Sequence, residues 1–466
     1  MLTDNVLIDI FDFYRKNYDN VHRTVWKWHI LAHVCRRWRQ IVFDSPHRLD
    51  LTILCTYGTP VKKFLGIWPN FPIAIDYRSS RIDTSPDDEE NVIAALEHPD
   101  RVGYLGLDLS DERLETLATL IREPFPVLRH LVILGGNGDA PLLPAEFLGG
   151  SAPHVQNVLL RNIAFPTLPT LLLSAKDLVE LKLSGIPPTG YVSPEVMVAC
   201  LADLPKLKTL VTRFQPTTPR PDRIPLPLLT RTVLPALVHF QFTGSSQYLE
   251  DLAARIDCPQ LNLFFIACLS RFVDIQVTQL SKLFDHLVGP KISPFRHAEV
   301  RFDIPGVKFL RYYPTDHPGW DCHLARTIIS CQGFDWQVSR LAQMLSQFSA
   351  ILSTVVHLKV AAQFSTIHPS SDADDLEWLH LLNQFCHVQA LYLSRQFAVR
   401  IARALKSIKG EMVAKALSSL DLICLEDQPS SSIEKFIAIR RLSGRPVAVV
   451  GTEAEFDQRL ESYIGK

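Results

Sequence analysis

Residues 102–107 read Val102-Gly103-Tyr104-Leu105-Gly106-Leu107, and this spacing, apolar-x-x-apolar-x-apolar, returns along the chain. It recurs at Leu128-x-x-Leu131-x-Ile133, Val155-x-x-Val158-x-Leu160 and Leu178-x-x-Leu181-x-Leu183, and the starts 102, 128, 155 and 178 lie 26, 27 and 23 residues apart. Further copies are Leu237-x-x-Phe240-x-Phe242, Leu261-x-x-Phe264-x-Ile266, Val355-x-x-Leu358-x-Val360, Val388-x-x-Leu391-x-Leu393 and Leu417-x-x-Leu420-x-Leu422. Leu207-x-x-Leu210 and His297-x-x-Val300-x-Phe302 are partial matches, and Leu324–Ile329 has room for a degenerate copy. Alternation of apolar and other residues is the period of a strand with one buried face. Strand signals spaced this way leave room for a helix in each interval, so the pattern predicts repeated strand–helix units.

Working outward, the same alternation begins at Leu49, Leu51 and Ile53. Thr59-Pro60 then reads as a helix cap and first turn, with Phe64, Leu65 and Trp68 as the apolar face, before a strand at Phe71, Ile73 and Ile75. Helices are expected at 111–122, 194–204, 247–256, 278–287, 373–385 and 432–442. A last strand at 446–450 and a closing helix at 453–463 read as a C-terminal cap. Residues 216–227 hold five prolines and read as a loop; 83–90 and 370–375 read as acidic surface loops. The spacing resembles that of leucine-rich repeats, whose period is about 20–29 residues, without their regular asparagine ladder. That resemblance implies a curved parallel sheet backed by helices, because each unit buries its face only against its neighbours. The alternative is an ordinary α/β domain with unrelated strands.

The N-terminus has the helical period instead. Leu7, Ile10, Phe11 and Tyr14 form one stripe, widened by Val6 and Phe13, with Thr3 and Asp4 suited to the helix start. A second stripe runs through Leu31, Val34, Cys35, Trp38, Ile41 and Val42, with Arg36, Arg37 and Arg39 on a solvated face between them. Two or three such helices are too short to bury all their apolar surface alone, so either the rest of the chain or a partner covers the remainder.

These residues carry a second resemblance. Leu2-Thr3-x-x-Val6-Leu7-x-x-Ile10-Phe11 followed by Val34-Cys35-Arg36-Arg37-Trp38-Arg39 resembles an F-box, and Ser45-Pro46-His47-Arg48-Leu49-Asp50-Leu51 and Gly66-Ile67-Trp68-Pro69 are similar to the segment C-terminal to that motif in fungal F-box proteins. The family has Leu-Pro where this chain has Leu2-Thr3. The resemblance implies a three-helix motif over 1–45, an α/β repeat body over 46–466, and docking on a Skp-type adaptor and its cullin complex. Its adaptor-facing positions map to Leu2, Val6, Leu7, Ile10, Phe11, Val34, Cys35, Trp38 and Ile41, some of which must form the motif's own core. In a repeat horseshoe, the residues between the apolar strand positions face the concave side. Those candidates for a protein substrate are Glu180, Lys182, His239, Gln241, Glu299, Arg301, His357, Lys359, Tyr392 and Arg395.

Motifs of catalysis and metal binding are incomplete. Gly135-Gly136-Asn137-Gly138-Asp139 follows a strand, but no Gly-Lys-Ser/Thr follows, so it reads as a tight loop whose glycines supply positive φ. Cys322-His323 and Cys386-His387 have no second spaced pair and read as core cysteine beside half-buried histidine. No cofactor or metal is expected, and no enzyme activity; an enzyme with a dispersed site is one rival, a non-ligase binding scaffold another.

Composition agrees. The 466 residues carry 48 basic and 49 acidic side chains, a balance unlike that of a general nucleic-acid binder. Nine scattered cysteines, an odd number without a Cys-x-x-Cys pair, fit a reducing compartment, cytoplasmic or nuclear. No apolar run approaches the length of a membrane span and no signal-peptide core precedes the first helix, so no membrane partner is expected.

Overall fold

The computed structural model describes residues 2–16, 27–45, 49, 51–78, 85–136, 138, 140–215, 231–268, 297–303, 306–312, 325–332, 337–348, 352–362, 375–407, 417–426 and 433–464. The proline-rich segment 216–227, the helix expected at 278–287 and Cys322-His323 lie outside them. The chain divides into two compact units, Met1–Pro221 and Asp222–Lys466.

The first unit opens with three helices, α1 (Asp4–Lys16), α2 (Lys27–Val34) and α3 (Arg36–Asp44). Strand β1 (Ile53–Cys55) and α4 (Val61–Ile67) follow, then β2 (Ile73–Tyr77), α5 (Pro86–Leu96), β3 (Val102–Asp108) and α6 (Asp111–Ala118). The rest is β4 (His130–Leu134), β5 (Asn157–Arg161), α7 (Leu168–Ser174), β6 (Glu180–Ile186), α8 (Pro194–Ala202) and β7 (Thr209–Phe214). All seven strands pair in parallel and in chain order. The sequence pattern is the register: Leu105, Leu131, Val158, Leu181 and Leu210 form one row, and Leu107, Ile133, Leu160 and Leu183 the next. Both rows are buried beneath the connecting segments, while residues between them are mostly half-exposed on the open face.

One turn sets each strand's start. The N–H of the first pattern residue donates to the carbonyl three residues back: Leu128 to Phe125, Val155 to Ala152, Leu178 to Ala175 and Leu207 to Leu204. Pro126, Pro153 and Pro205 stand second in three of these turns, where a fixed φ near −65° is already correct. This explains why prolines recur at the unit boundaries.

The second unit runs β8 (Thr232–Val233), β9 (His239–Gly244), α9 (Ser246–Arg255), β10 (Ile256–Asp257), β11 (Leu263–Cys268), β12 (His297–Asp303), β13 (Gly306–Tyr312) and β14 (Ala325–Gln332). It continues with α10 (Gln337–Leu345), β15 (His357–Ala362), α11 (Asp375–Leu382), β16 (Ala390–Leu393), α12 (Arg395–Ser407), β17 (Leu422–Leu425), α13 (Glu434–Leu442), β18 (Ala448–Val450) and α14 (Glu453–Ile464). Here the expected all-parallel order fails. β12 and β13 form an antiparallel hairpin, β13 pairs antiparallel with β14, and β14 returns parallel to β11. Two residues separate β12 from β13, a length that closes a hairpin but not a parallel crossover. From β12 the sheet continues in parallel through β15, β16, β17 and β18.

Several local expectations need correction. Leu49 and Leu51 are buried but precede β1, so the first strand is later and shorter than its alternation suggests. In α4, Val61 is the fully buried residue and Pro60, not Thr59, stands at the cap. The acidic stretch from Ser85 to Glu90 is no loop: it starts α5, with Ser85 and Asp88 closing a capping box and Pro86 in the first turn. In β17, Ile423 and Leu425 rather than Leu420 and Leu422 continue the rows of Leu391 and Leu393. Both faces of that strand are apolar, so alternation alone could not fix its phase. None of Gly135, Gly136 and Gly138 has positive φ. A Cβ on Gly135 would sit 2.5 Å from the Asn162 carbonyl oxygen, so close approach explains that glycine.

Asp88 joins α5 to the β1–α4 connection. Its carboxylate accepts from the Gly58 N–H at 2.7 Å, the Ser85 N–H at 3.1 Å and the Ser85 hydroxyl at 2.8 Å. Burial works to raise its pKa, but these bonds outweigh it and hold the group below its ordinary value. Asp88→Ala should therefore cost about 2 kcal/mol in urea unfolding, with Asp88→Asn costing less. Because the folded pKa is depressed, the wild-type advantage should be present above the ordinary aspartate range and fade as pH falls through the folded value.

Candidate functional site

Two surfaces of the first unit stand out, the N-terminal helices and the open face of the sheet. The helices begin with local chemistry. Leu7 N–H donates to the Thr3 carbonyl, which makes Thr3 the residue before the first turn of α1. Cys35 caps α3: its Sγ accepts from the Trp38 N–H at 3.5 Å. Arg36 is exposed as expected, but Arg37 and Arg39 hold the helices together rather than merely facing water. Arg37 donates to Asp4 Oδ1 at 2.7 and 3.1 Å and to the Leu2 carbonyl at 2.6 Å, while Arg39 donates to the Ala32 carbonyl at 2.9 Å.

The apolar stripe of α1 splits into two faces. Leu7 (5% exposed) and Phe11 (1%) turn inward, joined by Ile8, Leu31, Ile41 and Val42. Trp38 is half-buried with its ring 4.8 Å from that of Phe11. The opposite face keeps Leu2 (53%), Val6 (41%), Ile10 (45%) and Phe13 (67%) exposed, and Ile30 and Val34 of α2 are exposed too. Leu2, Val6, Ile10 and Phe13 are spaced four, four and three residues apart, one side of a helix. Of the adaptor candidates, Leu7, Phe11 and Ile41 form the motif's core and Trp38 packs on it; Leu2, Val6, Ile10 and Val34 face outward, and Cys35 is an exposed cap. Phe13 and Ile30 complete the outward face; Ile30 carried no distinguishing signal in the sequence.

On the open sheet face, one row crosses β3 to β7 as Tyr104, His130, Asn157, Glu180 and Thr209. The first four members touch in turn. The Arg78 guanidinium lies 5.4 Å from the centre of the Tyr104 ring and is held by Asp76 at 2.6 Å. The Tyr104 and His130 rings are 5.9 Å apart, Asn157 donates to Glu180 Oε2 at 3.1 Å, and Glu180 pairs with Lys182 at 2.6 Å. Burial pushes the Tyr104 hydroxyl up to about 12, so it stays protonated; burial and then Arg129 hold His130 below its ordinary value. Gly106 makes room for this array: a Cβ there would sit 2.7 Å from Tyr104 Cε1. Glu180 and Lys182 were legible as candidates. Tyr104, His130 and Asn157 occupy the corresponding intermediate positions of earlier copies and were missed, although the same spacing rule reaches them.

The second unit treats its candidates differently. His239 and Gln241 are half-buried on β9. Glu299 is buried, bonded through both oxygens to Arg301 at 2.6 and 2.9 Å, and His357 is buried with its Nδ1 3.2 Å from that of His297. Tyr392 is buried under α14, against Phe456 at 5.7 Å, with its hydroxyl donating to Glu426 at 3.0 Å. Lys359 pairs with Glu453 of α14 at 2.6 Å and lies 4.8 Å from the Tyr392 ring centre. Arg395 is not on a strand; it is the first residue of α12. Over β16–β18 the expected concave row is internal, because Phe456 and Leu460 of α14 close over Ala390, Tyr392, Leu422, Cys424 and Val450.

Cys386 and His387 are both exposed, against the expectation of a core pair. Among the described residues there is no group of three metal-ligating side chains, and no helix long and apolar enough to cross a membrane. Asp111 accepts from the Gly136 N–H at 2.8 Å, so the glycine loop already faces a carboxylate.

No family model matches the chain, and no curated protein does. Among solved structures, it is similar to the leucine-rich repeat-containing protein LegL7 from Legionella pneumophila, with 13% identity and a TM-score of 0.27 over 85% of this chain and 99% of that chain.

A depressed His130 pKa has a measurable consequence. Its ring should titrate below 6.5 in a proton–carbon NMR titration, and Arg129→Gln should move the midpoint upward. Since the unfolded ring binds protons more readily, this residue's contribution to stability should decline as pH falls through the ordinary histidine range.

Proposed function

We propose that the chain is a substrate-recognition subunit of a Skp–cullin–F-box ubiquitin ligase. The two-faced α1 carries this reading. A helix that has already buried Leu7 and Phe11 still presents Val6, Ile10 and Phe13 outward, with Ile30 and Val34 exposed on α2. Contiguous exposed apolar side chains of this kind mark a surface that another protein covers. In this reading a Skp-type adaptor covers it, and the open face of the sheet holds the substrate. The chain would make or break no bond. It would tether a target near a ubiquitin-charged enzyme carried elsewhere in the complex and raise its effective concentration.

The test is capture of a purified Skp-type adaptor by the full chain. Leu7, Phe11 and Trp38 are poor targets, because changing them unpacks α1 from α3. Val6→Asp with Ile10→Asp alters the outward face alone. The double variant should keep the wild-type far-UV spectrum and lose about 100-fold or more in adaptor affinity, as two apolar contacts worth ~1.5–3 kcal/mol each disappear. If wild-type protein captures no adaptor at micromolar concentration, or the double variant captures it undiminished, the ligase assignment fails and a non-ligase binding scaffold stands in its place.

A further inference from the structure

Among the described residues, the open face of β4–β7 carries two cations that no carboxylate matches. Leu134, Arg161, Ser184 and Arg213 lie side by side in one register row. The neighbouring row is Val132, Leu159, Lys182 and Val211. Nearby charges are matched within the chain: Arg78 is held by Asp76 and Lys182 by Glu180. Arg161 and Arg213 are exposed, and no described carboxylate pairs with either. Asp108 is in the same row on the far side of Leu134, so the positive end of the row lies over β5–β7.

Two strand spacings, about 10 Å, separate the backbones of the two arginines. Both side chains can therefore reach one segment laid across β6. A guanidinium keeps its charge at any physiological pH and pairs two-by-two with a carboxylate. The positions beside these cations, Leu134, Leu159 and Val211, are apolar. The chain itself shows that such a face holds a segment through this combination. In the second unit α14 lies on the strands with Glu453 on Lys359 and Phe456 against Tyr392.

We propose that the open face of β4–β7 binds an acidic segment of a partner protein. Its carboxylates pair with Arg161 and Arg213, and its apolar side chains lie on the half-exposed Leu134 and Leu159. This rests on the substrate-receptor reading and names the class of substrate: a protein presenting carboxylates interleaved with apolar residues.

The experiment uses the full chain and a fluorescein-labelled peptide of alternating glutamate and leucine, read by fluorescence anisotropy beside glutamine–leucine and lysine–leucine peptides. The glutamate peptide should bind at least ten-fold more tightly than the glutamine one, and the margin should shrink as salt rises. R161E/R213E should reverse the preference toward the lysine peptide with an unchanged melting temperature. R161Q/R213Q, which introduces no charge, should erase the preference if the reversal variant melts early. Equal binding of glutamate and glutamine peptides to wild type, or an acidic preference that survives in both double variants, overturns the proposal. Adaptor capture is measured on the same preparations. Capture without an acidic preference sinks this proposal alone; an acidic preference without capture sinks the ligase reading and leaves the binding face.

Discussion

The stack of β4–β7 depends on one backbone contact repeated from strand to strand. A carbonyl just before β4, β5 and β6 accepts two N–H groups from the next copy: Arg129 from Gln156 and Asn157, Gln156 from Val179 and Glu180, Val179 from Lys208 and Thr209. The second unit repeats it, with Val238 accepting from Asn262 and Leu263, Val356 from Gln389 and Ala390, and Gln389 from Asp421 and Leu422. Because this contact joins equivalent positions, a slip of one residue would turn every apolar row outward. Fixing it fixes the buried rows, the open face and the side on which the helices return. No copy can satisfy these carbonyls by itself, which is why the units are stable only as a stack.

The same ladder produces two different surfaces, and the difference lies in what each open-face position must bear. Over β2–β7 those positions include a row of polar and aromatic side chains, from Tyr104 to Thr209, that is compatible with water. Over β16–β18 they hold Ala390, Tyr392, Leu422, Cys424 and Val450, which need a cover, and α14 supplies it. The apolar character beneath α14 argues that it is a permanent lid on the end of the stack rather than a movable one. Buried Arg440 reinforces the closed end by donating to the carbonyls of Ser418 and Leu420 at 2.9 and 2.7 Å.

Much of this was legible because spacing and register are the same information. Leu105, Leu131, Val158, Leu181 and Leu210 could be aligned from sequence, and they align in space. The rest was hidden for physical reasons. The β12–β13 hairpin keeps the strand period but reverses direction, and period carries no direction. β17 is apolar on both faces, so its phase was ambiguous. The burial of Tyr392 depends on α14, and Lys359 is tied to Glu453 from 94 residues away, contacts that no local pattern encodes. The division of α1 into inner and outer faces was equally invisible, since Val6, Leu7, Ile10 and Phe11 are all apolar and only packing separates them.

That division bears on Thr3, which stands where the motif this stretch resembles has proline. A proline there contributes a preset φ and removes an N–H that a helix start cannot use. Thr3 keeps that N–H, yet its carbonyl still accepts from Leu7. Arg37 supplies restraint from α3, gripping the Leu2 carbonyl and the Asp4 carboxylate together. An exposed ion pair is worth little alone, commonly under about 1 kcal/mol. Here it fixes the first turn of α1 at both ends of a three-residue span, adjacent to Leu2 and one turn before Val6. The outward face is thus ordered by a side chain from the neighbouring helix, and the residue at position 3 need not be proline for Leu2, Val6, Ile10 and Phe13 to be presented as one surface.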